Sequence, residues 1–384
     1  MNEFIGFNKP YFTGKEENYI RQTYLNGQIS GDGIYTNLCH EWLENNLLCK
    51  KALLTHSCTA ALEMAAILLN LKPGDEIIMP SYTFISSANS FVLRGAVPVF
   101  VDIRKDTLNI NEALIEEAIT LKTKAILVVH YAGVGCEMDK IMTIAEENNL
   151  FVVEDSAQGI LSKYKDKFLG TIGHLGCISF HETKNITSGE GGALLINDKR
   201  FIRRAEIIRE KGSDRSQFFR GEVDKYTWQD IGSSYLPGEL ISAFLYAQFE
   251  ESKSITQKRK KIWEKYYNAF KKLDNKGLIC LPKIPTDCEH NGHIFYLMFE
   301  NVKLRDKYIR KMNESGVNCI FHYVPLHLSK AGRKYAKIHG SMAISEDSSN
   351  RIVRLPMWIE LGNKRQQQII NSTLEILEGF SYSQ

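Results

Sequence analysis

The stretch F-H-E-T-K-N-I-T-S-G-E-G-G, residues 180–192, decides how this chain is read. It sets one lysine, Lys184, between a short apolar run at 176–180 and a glycine-rich return into another at 193–197. Most lysines are solvated, and Lys184 admits that reading. A compact Ser/Gly/Thr turn between two buried strands, however, gives a solvated lysine little reason to be there. Upstream, F-V-V-E-D-S-A-Q, residues 151–158, puts Asp155 at a strand end with Gln158 one turn later. Asp155 can cap the helix that follows. It can equally face a ring nitrogen. An amine opposite a buried carboxylate suits pyridoxal phosphate (PLP), whose aldehyde takes up an amine and whose ring nitrogen stays protonated beside an anion.

Outward from this core, short apolar runs alternate with helical stretches between about 50 and 200. Strands are expected at 76–79, 98–101, 124–130, 151–154, 177–180 and 193–196, and helices at 59–71, 85–94, 111–120 and 139–148. The strands are Val/Ile-rich with little polar alternation, as for strands covered on both faces. The pattern predicts a mainly parallel sheet between helical layers, with ligands at the carboxyl ends of the strands. His130 and Asp155 both fall at that rim. Beyond 250 a basic helical stretch, 252–273, leads into mixed elements with strands at 293–299, 318–322 and 353–355. We expect a large domain at 1–250 and a small α+β domain at 251–384. The run Lys258-Arg259-Lys260-Lys261 reads as a solvated helix face.

Bulk properties narrow the class. A chain of 384 residues exceeds one small core. A net charge of +3, without a long basic block, gives no reason to expect nucleic acid. Eight cysteines, none in C-x-x-C spacing, speak against zinc and redox motifs. No apolar run approaches the roughly 18–20 residues that cross a bilayer. The N-terminus lacks a basic region followed by an apolar stretch, so a cytoplasmic protein is expected. Neither a G-x-G-x-x-G nor a P-loop motif occurs, which disfavours nicotinamide and P-loop chemistry.

Other positions carry two readings each. Ser57 and Thr59, before the first long helix, are helix caps or the start of a phosphate site, and both roles are compatible. Phe84 is a core ring or one that stacks on a planar cofactor. Ser179 is an ordinary strand serine or a phosphate donor. His322 and Tyr323, in F-H-Y-V-P-L-H at 321–327, suit the lining of a substrate cleft better than a metal site. Arg215, Arg220 and Lys225 lie in a loop that is solvated or receives a diphosphate.

These windows together resemble the DegT/DnrJ/EryC1/StrS family of PLP-dependent nucleotide-sugar aminotransferases. The resemblance runs from G-D-G at 31–33 to R-L-P at 354–356 and is carried by S-C-T-A-A-L-E-M, P-G-D-E-I-I-M-P-S-Y-T-F, V-V-E-D-S-A-Q, F-H-E-T-K-N and G-E-G-G-A-L. It implies an aspartate-aminotransferase-like α/β fold (the type I PLP fold). Lys184 then matches the lysine that condenses with the cofactor, Asp155 the partner of the ring nitrogen, and Gln158 the neighbour of the phenolic oxygen. Phe84 falls where an aromatic covers the ring, and Thr59, Ala60 and Ser179 where the phosphate is cradled. Members are typically homodimers with shared active sites. The family's G-x-N-Y-R stretch, whose asparagine reaches the partner subunit's phosphate, here reads Gly232-Ser233-Ser234-Tyr235-Leu236, with Ser234 in place of asparagine.

The segments around 179–185, 215–235 and 321–327 look most like the dTDP-4-keto-6-deoxyglucose 4-aminotransferases. The resemblance thus implies transfer of an amino group from L-glutamate to C4 of that sugar, giving a dTDP-4-amino-4,6-dideoxyhexose for a surface glycan of O-antigen type. Arg220, Lys225, His322 and Tyr323 would touch the substrate. Gluco and galacto products are both compatible, as is amination at C3 of a related keto sugar. A catalytically silent PLP protein is the rival from another class. A related dehydratase branch carries histidine at the lysine position, which Lys184 disfavours.

Overall fold

A computed structural model describes residues 4–381; the outermost residues of both expected domains lie outside that range. Strands β1 (Lys51–Thr55), β2 (Glu76–Pro80), β3 (Val97–Val101), β4 (Thr123–Val129), β5 (Phe151–Asp155), β6 (Leu175–Ser179) and β7 (Gly192–Ile196) build one sheet. Further on come β8 (Phe295–Met298), β9 (Lys337–Ile338) and β10 (Ile352–Leu355). The large sheet runs β1-β7-β6-β5-β4-β2-β3-β9, and only β7 is antiparallel to its neighbours.

The apolar runs form strands because both faces are covered. On one face Ile77, Met79, Ala125, Leu127, Val153 and Cys177 join a core with the helix Cys58–Leu68. On the other, Ile78, Ile126, Val128 and Val152 meet the helix Met138–Glu147. Each buried Leu, Ile or Val contributes about 1.5–3 kcal/mol. The near-continuous burial of Cys58–Leu68, alanine-rich and one turn from the sheet, makes it the central helix of its layer. A further core gathers Trp263, Tyr266, Phe270, Phe295, Leu297 and Val353 with Ile5 from the amino-terminal end.

Several expectations are corrected. β1 was not anticipated, because Lys-Ala-Leu-Leu carries helix-forming residues whose strand character comes from pairing with β7. The expected helix at 111–120 is two short 3₁₀ turns, Glu112–Leu114 and Glu116–Ala118. There Glu112 turns away to Arg104 and Lys140, at 3.0 and 3.1 Å. The expected strand at 318–322 reduces to an isolated bridge between Ile320 and Arg354. In the basic run, Arg259 is buried and donates to the carbonyls of Gly292 and His293 at 3.1 and 2.6 Å, so that position is not a solvated one.

Because β1, β2, β4, β5 and β6 run the same way, their ends deliver Ser57, Ser81, His130, Asp155 and Ser179 to one rim. β7 starts there too. The turns below β6 are held by Glu154. It accepts from the backbone N–H of Gly170, Ile172 and Gly173 at 2.5–2.8 Å and from His130 Nε2 at 2.8 Å. Glu154→Ala should therefore lower unfolding stability by about 3 kcal/mol or more, since it strands three N–H groups and a buried imidazole. Urea titration reads this as a lower midpoint.

Candidate active site

The helix Cys58–Leu68 opens at Ser57, whose backbone is extended and whose Oγ accepts from the Ala60 N–H at 3.1 Å. Thr59 Oγ1 pairs with Ser86 Oγ at 2.8 Å. Here the start of β7 rests directly on the helix start. A Cβ on Gly192 would lie 2.4 Å from both Ser57 C and Cys58 N, so only glycine permits this approach. The capping bond occupies the Ala60 N–H, which leaves Cys58 and Thr59 as first-turn donors to an anion. Ser179, buried at the end of β6, completes the same corner.

Lys184 sits in a turn closed by its own backbone. Its N–H donates to His181 O at 2.9 Å, and the neck is tied by Glu182 N–H to Gly189 O (2.7 Å) and Ser188 N–H to Phe180 O (2.8 Å). Lys184 is half-buried. Burial holds its ammonium below the ordinary lysine range, and Arg354 acts the same way, while Cys58 and Asp155 oppose them. Asp155, buried, accepts from Ser87 Oγ at 2.7 Å and from the Ala157 N–H at 3.1 Å. Burial raises its pKa, against those two hydrogen bonds and the charges of Lys184 and His130.

Gln158 spans two left-handed residues. Its Oε1 accepts from Ala132 N–H at 2.7 Å (φ 58°), and its Nε2 donates to Tyr323 Oη at 3.0 Å (φ 40°). His322 stacks on Tyr323 with ring centroids 3.6 Å apart and bonds Tyr131 Oη through Nδ1 at 2.7 Å. Burial, then Arg354, His293 and Lys184, keep His322 well below the usual imidazole range, so it is neutral. Phe84, 56% exposed, stands at the mouth, its ring 6.4 Å from Tyr323.

Sequence reasoning missed Arg354. It lies on β10 with its guanidinium over the Phe7 ring at 4.8 Å, Nη2 donates to Phe321 O at 3.3 Å, and Nε is buried without a partner. Among the described residues no ion pair forms at it. The signal was available: a charged residue inside the apolar run I-V-R-L. His130, in contrast, turns from the rim into the pair with Glu154, while its Nδ1 accepts from Cys136 N–H at 3.2 Å. Arg220 is held by Glu206 and Glu222, at 2.9 and 2.7 Å. Lys225 and Ser234 are exposed, and Ser234 bridges Glu210.

The donor set fits PLP: an amine for the aldehyde, a buried carboxylate for the ring nitrogen, and the helix start at Ser57–Thr59 for the phosphate. Comparison with known proteins agrees. The model of the DegT/DnrJ/EryC1/StrS aminotransferase family matches residues 10–374. The chain belongs to that family. It is a PLP-dependent aminotransferase. Among relatives, the GDP-perosamine synthase of Escherichia coli O157:H7 is 30% identical over 377 residues, covering 97% of this chain and 98% of its own. The aminotransferase from Psychrobacter cryohalolentis superposes with a TM-score of 0.91 at 27% identity, covering 98% and 99% of the two chains. A putative sugar aminotransferase, Spr1654 of Streptococcus pneumoniae in its PMP form, gives 0.90 at 25% identity and 99% of each chain.

Because Asp155 favours the Lys184 ammonium, Asp155→Asn should lower the Lys184 pKa further. In cofactor-free aminotransferase, the pH midpoint of Lys184 acetylation, followed by peptide mass spectrometry, should fall below the wild-type midpoint. An upward shift would contradict the proximity of the two groups.

Proposed function

We propose that this aminotransferase moves an amino group from L-glutamate to C4 of dTDP-4-keto-6-deoxy-D-glucose, as a homodimer in the cytoplasm. The product would be a dTDP-4-amino-4,6-dideoxyhexose for a surface glycan. The observation that carries this reading is the Lys184 amine set near Asp155 at the strand ends, beside an arginine that has no carboxylate partner among the described residues. A sugar acceptor is supported by the relative named for GDP-perosamine synthesis and by the putative sugar aminotransferase. The dTDP-4-keto choice rests on the segments at 179–185, 215–235 and 321–327.

Within this reading Asp155 would hold the ring nitrogen, Phe84 would cover the ring, and Gln158 would sit by its phenolic oxygen. Thr59, Ser179 and the partner's counterpart of Ser234 would surround the phosphate, and Ala60 would join them by releasing its N–H from the Ser57 cap. Bound PLP supplies an aldehyde that accepts an amine and a protonated ring that accepts an electron pair. Lys184, whose ammonium burial holds below the ordinary lysine range, gives and takes a proton at its Nζ. Arg354 attracts the donor's carboxylate, and because His322 is neutral it does not compete for that anion. His322 and Tyr323 would line the hexose pocket. Arg220 and Lys225 would meet the diphosphate, Arg220 by exchanging its two carboxylates.

Dimer formation is supported by an apolar face. Tyr24, Leu25, Ile34, Leu240 and Ile241 are exposed on three mutually packed helices, Glu16–Asn26, Ile34–Leu47 and Glu239–Glu250. Ser234 lies just before the last of them.

Purified enzyme supplied with PLP, glutamate and dTDP-4-keto-6-deoxyglucose should give the 4-amino sugar by NMR, and Lys184→Ala should give none. A product aminated at C3 would overturn the regiochemistry. Arg354→Gln should raise KM for glutamate about 10- to 100-fold, the loss expected for a charge-assisted bond, while the KM for the sugar stays nearly constant. An unchanged glutamate KM would remove Arg354 from the donor site.

A further inference from the structure

Asn185, next to Lys184, has both ends of its amide taken by one segment of the carboxyl-terminal region. Its Nδ2 donates to Asn291 O at 3.0 Å, and its Oδ1 meets His293 Nδ1 at 2.9 Å. Since Oδ1 can only accept, the histidine proton lies on Nδ1. The same segment reaches the loop that follows the strand ending in Asp155. Asn291 Nδ2 donates to Gln158 O and Ile160 O, both at 2.9 Å. A Cβ on Gly133 would lie 2.3 Å from Asn291 Oδ1, so the segment is seated against that turn as well. Behind it, Arg259 fixes the carbonyls of Gly292 and His293. Asn185, Asn291 and His293 are all buried.

We propose that residues 291–293 act as a positioning clamp that sets the direction of the Lys184 side chain relative to Asp155, with Asn185 as its grip. This inference rests on the functional reading above, because it gives the clamp a lysine whose orientation matters. None of the three side chains is asked to touch the reacting atoms. They fix the backbone on the carboxyl side of Lys184 and the carbonyls three and five residues beyond Asp155, so the two groups move as one. Burial and the nearby charges of Lys184, Arg259 and Arg354 hold the His293 imidazole well below its usual range, and with its proton on Nδ1 the ring donates to Asn185 in either protonation state.

The test compares His293→Leu, which lacks the donor, with His293→Asn, whose amide nitrogen occupies the δ position. Three readouts are taken: the Lys184 acetylation profile in cofactor-free protein, the pH midpoint of the visible band after PLP is added, and kcat against KM for glutamate. His293→Leu should shift both profiles and lower kcat on the order of a hundredfold with KM little changed, as for a reacting group displaced by about 1 Å. His293→Asn should restore most of each. If His293→Leu does not fold, Asn185→Ala removes the same bond from the turn and is read identically. Loss of thermal stability with wild-type profiles and kcat would make the segment a purely structural brace and overturn the clamp. A wild-type protein that forms no visible band with PLP would instead overturn the functional reading.

Discussion

A buried carboxylate at the end of a central strand is costly, and the architecture of the site follows from how that cost is met. Among the described residues the Asp155 carboxylate accepts hydrogen bonds from the Ser87 hydroxyl and the Ala157 N–H alone. Burial pushes it toward its neutral form, and the charge of Lys184 pulls it back. A cationic ring nitrogen placed against it would complete the compensation. In the same way Lys184 is pulled down by burial and held up by Asp155. Each group depends on the other's charge, so the fold must keep both at one rim.

The sheet does this through direction. Seven parallel strands end on one side, five of them delivering the rim residues, and the single antiparallel strand, β7, begins there. Its first residue, Gly192, lies so close to Ser57 and Cys58 that the return from the Lys184 turn and the helix start form one unit. Anion cradle, amine and carboxylate therefore share a rigid support. The carboxyl-terminal region adds the cationic, aromatic side: Arg354, His322, Tyr323 and the Asn291–His293 segment.

Much of this was legible in the sequence where local chemistry is decisive. Lys184 and Asp155 stand out because each is a charged residue placed where the pattern demands burial. The two-sided Val/Ile runs give the parallel sheet, and the Ser57–Thr59 window gives the helix start. What was not legible depends on tertiary pairing. β1 is a strand only because β7 lies beside it. His130 reads as a rim residue from its position, yet its ring turns to Glu154, a choice made by three backbone N–H groups far along the chain. Arg259 sits in a run of lysines whose helical phase alone turns it inward. Arg354, a single charge in an apolar strand, reveals its role only through the groups around it: the Phe7 ring and the Phe321 carbonyl.

The most direct measurement of the central claim is covalent trapping. Protein saturated with PLP is reduced with borohydride, digested, and mapped by mass spectrometry. The account predicts a phosphopyridoxyl adduct on the peptide containing Lys184 and its absence from the same peptide of Lys184→Ala. A stoichiometric adduct on another lysine, with Lys184 unmodified, would contradict it.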